Sequence, residues 1–117
     1  MHIRNSRFDK NILCFVVDGD IVPKRIAAQL EQSGLGFAVF GEDVPHPFVV
    51  VDARKCETHD QLLAVEAHGV GHVLTGSTDE PTAELFAIAL LRASGHPRAA
   101  QLLLDRGIVS RVDADLV

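Results

Sequence analysis

Apolar side chains fall along this chain in runs of two kinds. Residues 12–17, 36–40 and 48–51 are short stretches rich in β-branched and aromatic side chains, bounded by Gly, Asp or Pro, which is the signature of buried strands. After the first, Val22, Ile26, Ala27 and Leu30 recur at helical spacing, with Pro23 in the opening turn, Asp20 placed to cap it and Gly34 as its stop. That spacing predicts an amphipathic helix of about three turns. The second and third runs are joined by 41–47, where Gly41, Pro45 and Pro47 make a connection, so these two strands can pair as a hairpin.

The second half of the chain switches to helical period. Thr58 and Gln61 have capping-box spacing immediately before Leu62, Leu63, Val65, Val70 and Val73, and Gly76 follows as a stop. Ser77 or Thr78 can cap the next helix, which runs through Leu85, Phe86, Ile88, Ala89 and Leu91 to Gly95. His96 and Pro97 open a last helix through Leu102 to Arg106, with Gly107 as its stop and 108–117 as an irregular or loosely packed end. Strand, helix, two strands and three helices make an α+β pattern with a small sheet and a helical half.

Composition narrows the class. A chain of 117 residues, 47% hydrophobic, has the size of a single domain over 1–117 with one core. A net charge of −5 without a Lys/Arg cluster argues against nucleic acid as a partner. No apolar run approaches the roughly 20 residues that span a bilayer, and the polar opening around Arg4, Asn5 and Arg7 is no signal-peptide core, so a cytoplasmic protein without a membrane partner is expected. Cys14 sits in an apolar run and Cys56 in a polar one, a contrast that fits two reduced thiols better than a disulfide.

The candidate chemistry lies in Val65-Glu66-Ala67-His68-Gly69-Val70-Gly71-His72-Val73-Leu74. His68 and His72 are one helical turn apart and project from one face, the spacing with which two imidazoles hold one metal ion. Gly69 and Gly71 each cost about 0.8–1.0 kcal/mol relative to alanine inside a helix, so packing or function must offset them, and close approach of another element is one explanation. Few residues separate His72 from Glu80, so the two helices form a tight antiparallel hairpin that brings Asp79, Glu80 and Glu84 alongside the histidines, with Ala83 allowing close contact. One glutamate could then complete a His2–carboxylate site while the other supports a ligand imidazole, and spacing alone does not choose between them. The plain alternative is a pair of polar histidines and a solvated acidic face. His46, His59 and His96 read as loop or cap residues.

From the strand 48–51 to Leu91 the chain resembles the small zincin-type metallopeptidases of bacteria and phages, the ImmA/IrrE-like group. The carrying residues are Ala67-His68-Gly69-Val70-Gly71-His72 and Glu80-Pro81-Thr82-Ala83-Glu84-Leu85-Phe86-Ala87. The resemblance implies a zincin-like fold, one Zn2+ per chain on His68, His72 and Glu80, and Glu84 supporting a ligand imidazole. It implies a protein or peptide as substrate or partner, a regulatory protein among the candidates, with an extended peptide adding to a sheet edge near 48–51. In that family the metal polarises the scissile carbonyl and a glutamate after the first histidine acts as general base; here Gly69 holds that position. Glu66 is a poor substitute, because two positions before His68 it points away, toward solvent or a neighbouring element. Loss of a general base removes about 10²–10⁴-fold in rate. Three readings follow: a pseudo-enzyme that keeps the fold as an interaction module, an inactivated peptidase, or another carboxylate such as Asp79 as base.

Overall fold

In the computed structural model of the chain, which describes residues 1–105, each short apolar run becomes a strand. The elements in order are β1 (His2–Asn5), β2 (Leu13–Val17), α1 (Lys24–Ser33), β3 (Gly36–Val39), β4 (Phe48–Asp52), α2 (His59–Thr75), α3 (Glu80–Ala93) and α4 (Pro97–Leu104). The strands form one mixed sheet in the order β1-β2-β4-β3. β1 pairs antiparallel with β2, β2 parallel with β4, and β3 antiparallel with β4. The expected hairpin of 36–40 and 48–51 is thus present, with Phe37 opposite Val50 and Ala38 opposite Val49.

Alternation along the strands sorts side chains to two faces. Cys14, Val16, Val49 and Val51 point into the larger core, which Leu63, Ala67, Val70, Ala87, Leu91 and Leu103 of the three later helices complete. Val17, Phe37 and Val50 point the other way and meet Leu30 and Ile26 of α1. Both faces are covered, which is why the strands read as continuous apolar runs and not as alternating ones.

Four sequence expectations shift. β1 was not expected, since its residues are mostly polar; it is an edge strand with Ile3 exposed, held by pairing to β2. Asp20 does not cap α1, which starts after Pro23 without a side-chain cap. Asp79, not Ser77 or Thr78, caps α3, its carboxylate accepting from the Thr82 N–H. Strand 48–51 is interior, paired on both sides, so it offers no free edge; β3 and β1 are the sheet's edges. The expected stop at Gly107 and the tail 108–117 lie outside the described residues. Among the described residues no helix is long and apolar enough to cross a membrane.

Candidate metal centre

α2 carries the histidines through the middle of the protein. Its start is fixed by Thr58, whose Oγ1 accepts from the Gln61 N–H, while Gln61 Oε1 accepts from the Glu57 N–H. Between the sheet and α3, nearly every residue from Leu63 to His72 is buried, as expected of a helix apolar on most sides. Both glycines mark close approaches. A Cβ at Gly69 would lie 2.9 Å from Val49 Cγ1 of β4, and one at Gly71 would lie 2.5 Å from the Ala83 carbonyl oxygen of α3. Gly76 ends the helix at φ 64°, in the left-handed region, and lets the chain turn back into α3.

That turn gathers His68, His72 and Glu80 into a group that could hold a metal ion, with one ligand atom from each and all of these within 4.8 Å of one another. His68 Nε2 is 3.0 Å from Glu80 Oε2, and His72 Nε2 is 3.3 Å from Glu80 Oε1. Donors bound to one tetrahedral zinc at about 2.0–2.2 Å stand roughly 3.3–3.6 Å apart, so the group is gathered to near coordination spacing.

His72 shows why a cation fits. Its Nδ1 is 2.8 Å from the Ser77 carbonyl oxygen, which can only accept, so Nδ1 carries a hydrogen, and in the neutral ring Nε2 presents a lone pair. That Nε2 faces Glu80 Oε1, and both atoms are buried and lack a hydrogen-bond partner. Two acceptors turned on each other out of water are unfavourable unless a proton or a metal cation lies between them.

The electrostatics agree. Burial, and then the nearness of a second ring that would also be positive when protonated, His72, push His68 down to about 3. Burial, and then the charges of Glu84 and Asp79, push the Glu80 carboxyl up to about 7. Both shifts disfavour the charged forms, so an ion pair between His68 and Glu80 is not what holds them together, and Glu80 gives up its proton when it binds a cation. A neutral imidazole is the form that binds metal.

The remaining candidates take other places. Glu84 is half-buried one turn along α3 from Glu80 and outside the ligand group. Asp79 is occupied as the α3 cap. Glu66 turns to the neighbouring element, as one of its two expected directions had it. Fully buried, it accepts from Arg4 at 2.6 and 3.1 Å, from Ser6 Oγ at 2.8 Å and from the Arg7 N–H at 2.9 Å. Burial alone would raise its pKa; the bonds from Arg4, Ser6 and Arg7 outweigh that and hold it below the usual carboxylate range. Cys14 and Cys56 are both free thiols, the latter donating to the Asp52 carbonyl. His59 opens α2 and His96 is the N-cap of α4, while His46 lies in the exposed 41–47 connection.

His72 and Glu80 also line a cleft of about 540 Å³ that runs along β3. Its walls are Phe37, Ala38, Val39 and Phe40 on one side and Arg25, Ile26 and Gln29 of α1 on the other. Gly69, where the resemblance would place a general base, lies outside this lining and against Val49. Sequence reasoning missed the Ser77 carbonyl and Phe40, whose ring stacks on His72. The first is a backbone group with no residue-type signature; the second comes from a strand end far from the motif. Comparison with protein-family models, with curated proteins and with solved structures finds no match for this chain.

Proposed function

We propose that this is a metallopeptidase-like domain of zincin type that binds one Zn2+ through His68, His72 and Glu80 and does not hydrolyse peptides at an appreciable rate. The carrying observation is the convergence of His68, His72 and Glu80, with His72 Nε2 and Glu80 Oε1 buried, facing each other and without hydrogen-bond partners. Two imidazole nitrogens and a carboxylate oxygen are the donor set that suits zinc. When bound, the metal would supply a Lewis acid at the end of the cleft. Ser77 fixes the His72 tautomer, Glu80 joins α3 to both imidazoles, and no carboxylate occupies position 69 to take a proton. An extended segment of a protein partner, a regulatory protein among the candidates, can add to the outer edge of β3 beside the cleft.

A second reading, that the domain is a zinc-stabilised interaction module and not a peptidase damaged at one position, is favoured by Gly69 itself. The helix is seated so closely on Val49 that a side chain there meets a buried strand residue. The glycine belongs to the packing. A cytoplasmic setting accords with two free thiols.

The test is metal analysis of protein purified without chelator, together with zinc titration of the apo form. One zinc per chain, lost in His72→Ala, is expected; wild type that neither contains zinc nor gains thermal stability from it would sink the metal reading.

A further inference from the structure

The side of β3 that faces α2 is graded in size. Gly36, Ala38 and Phe40 occupy alternate positions and so share one face. A Cβ at Gly36 would lie 2.8 Å from Val65 Cγ1, and one at Gly69 would lie 3.9 Å from the Ala38 Cβ. The ring of Phe40 lies on that of His72, centroids 6.1 Å apart and planes 18° from parallel. Strand and helix therefore run alongside each other, Gly36 over Val65, Ala38 over Gly69 and Phe40 over His72. Small residues at the first two steps draw the helix in, so the large one at the third comes to lie nearly parallel to the imidazole and offset from it. Gly41 then turns the chain away at φ 137°, a value that side-chain-bearing residues rarely adopt.

We infer that Phe40 is a positioning residue for the metal ligand His72: its near-parallel ring fixes the imidazole plane from the cleft wall that the two residues share. This rests on the metal reading above. Two contacts at different edges of the ring then define its orientation, the Ser77 carbonyl at Nδ1 and the phenyl face across the plane. Phe40 is half-buried and His72 only 3% exposed, and the two line the same cleft side by side. An offset stack at this separation is within the favourable range for aromatic pairs. Groups that orient a ligand imidazole from outside the coordination sphere typically change metal affinity about 10–100-fold when removed.

The experiment follows zinc release into excess chelator from wild type, Phe40→Ala, Phe40→Leu and Phe40→Tyr, and records the His72 ring-proton NMR shifts of each apo form. Phe40→Ala and Phe40→Leu should release zinc about 10–100-fold faster and lose the ring-current displacement of His72, while Phe40→Tyr keeps both near wild type. Phe40→Leu retains apolar bulk without a ring, so it separates stacking from simple filling. Should Phe40→Ala fail to fold, the contrast of Leu with Tyr decides alone. Wild-type release rates in the Leu variant overturn the inference while leaving the zinc site standing. Wild type that takes up no zinc overturns the metal reading and this inference with it, and an unchanged His72 shift in Phe40→Leu shows there is no stack.

Discussion

Replacing Gly69 by alanine separates a glycine required by packing from a vacant catalytic position. If position 69 faced open space, alanine would stabilise the helix by about 0.8–1.0 kcal/mol. In this structure the new Cβ would instead stand 2.9 Å from Val49 Cγ1 and 3.2 Å from Val49 Cβ. Val49 is 1% exposed and sits on β4, which is paired on both sides, and a β-branched side chain has few rotamers to escape into. Overpacking of this kind costs about 1–3 kcal/mol, so the net change should lie between roughly neutral and about 2 kcal/mol destabilising. Urea unfolding of wild type, Gly69→Ala, Val49→Ala and the double variant measures it. The substitution should cost less by about 1 kcal/mol or more in the Val49→Ala background, because the Cγ1 contact is gone. Gly69→Glu starts from the same Cβ and adds a carboxylate beside the sheet, so it should destabilise more than alanine and create no peptidase. A Gly69→Ala protein that is about 1 kcal/mol more stable than wild type, or a Gly69→Glu protein of unchanged stability that cleaves peptides with zinc, would refute this account.

Three further outcomes are expected. Gly71→Ala should be the harsher glycine substitution, since its Cβ would lie 2.5 Å from a backbone oxygen that cannot rotate away; a loss of both stability and zinc binding is expected, and equal tolerance of alanine at 69 and 71 would contradict the packing of α3 on α2. Glu80→Gln should weaken zinc binding more than Glu84→Gln, because Glu80 lies within 3.0 and 3.3 Å of the two imidazoles and belongs to the candidate ligand group; a competition titration with the reverse order would reassign the ligand. Glu66 has a folded-state pKa held below its ordinary value, so its contribution to stability is complete above that ordinary value, near 4.5, and drains as pH falls through the folded one. Glu66→Gln should therefore flatten the acid side of a stability–pH curve from urea midpoints, and an unchanged slope would show that Arg4, Ser6 and Arg7 do not hold the carboxylate.

What could be read in advance follows the range of each interaction. Strands buried on both faces, the Thr58 cap, the Gly76 stop and the i, i+4 histidines are local patterns, and all four are present. The grouping of Glu80 with the histidines was legible because Gly76 leaves only a short turn between α2 and α3. β1 was not, since its place depends on pairing with β2 and on a carboxylate of α2, and neither gives four mostly polar residues an apolar pattern. The interior position of 48–51 was hidden for a related reason: sequence gives strands but not their order, and the parallel pairing of β2 with β4 puts the fourth strand inside. The glycines drew notice as a helix penalty, yet only the structure shows that one meets a strand side chain and the other a helix carbonyl.

The short span of the candidate ligand group bears on the order in which the chain assembles. Glu80 and His68 are 12 residues apart, whereas Arg4 and Glu66 are 62 apart. With closure entropy growing as (3/2)RT ln n, bringing Glu80 to His68 costs about 1.5 kcal/mol less than bringing Arg4 to Glu66. The hairpin of α2 and α3 is thus the cheaper loop to close, and on that ground alone His68, His72 and Glu80 are expected to meet before the first strand locks on. An ion present during folding would act on a young, half-built chain as a local clip, and its effect would be seen in the refolding rate as well as in the final stability.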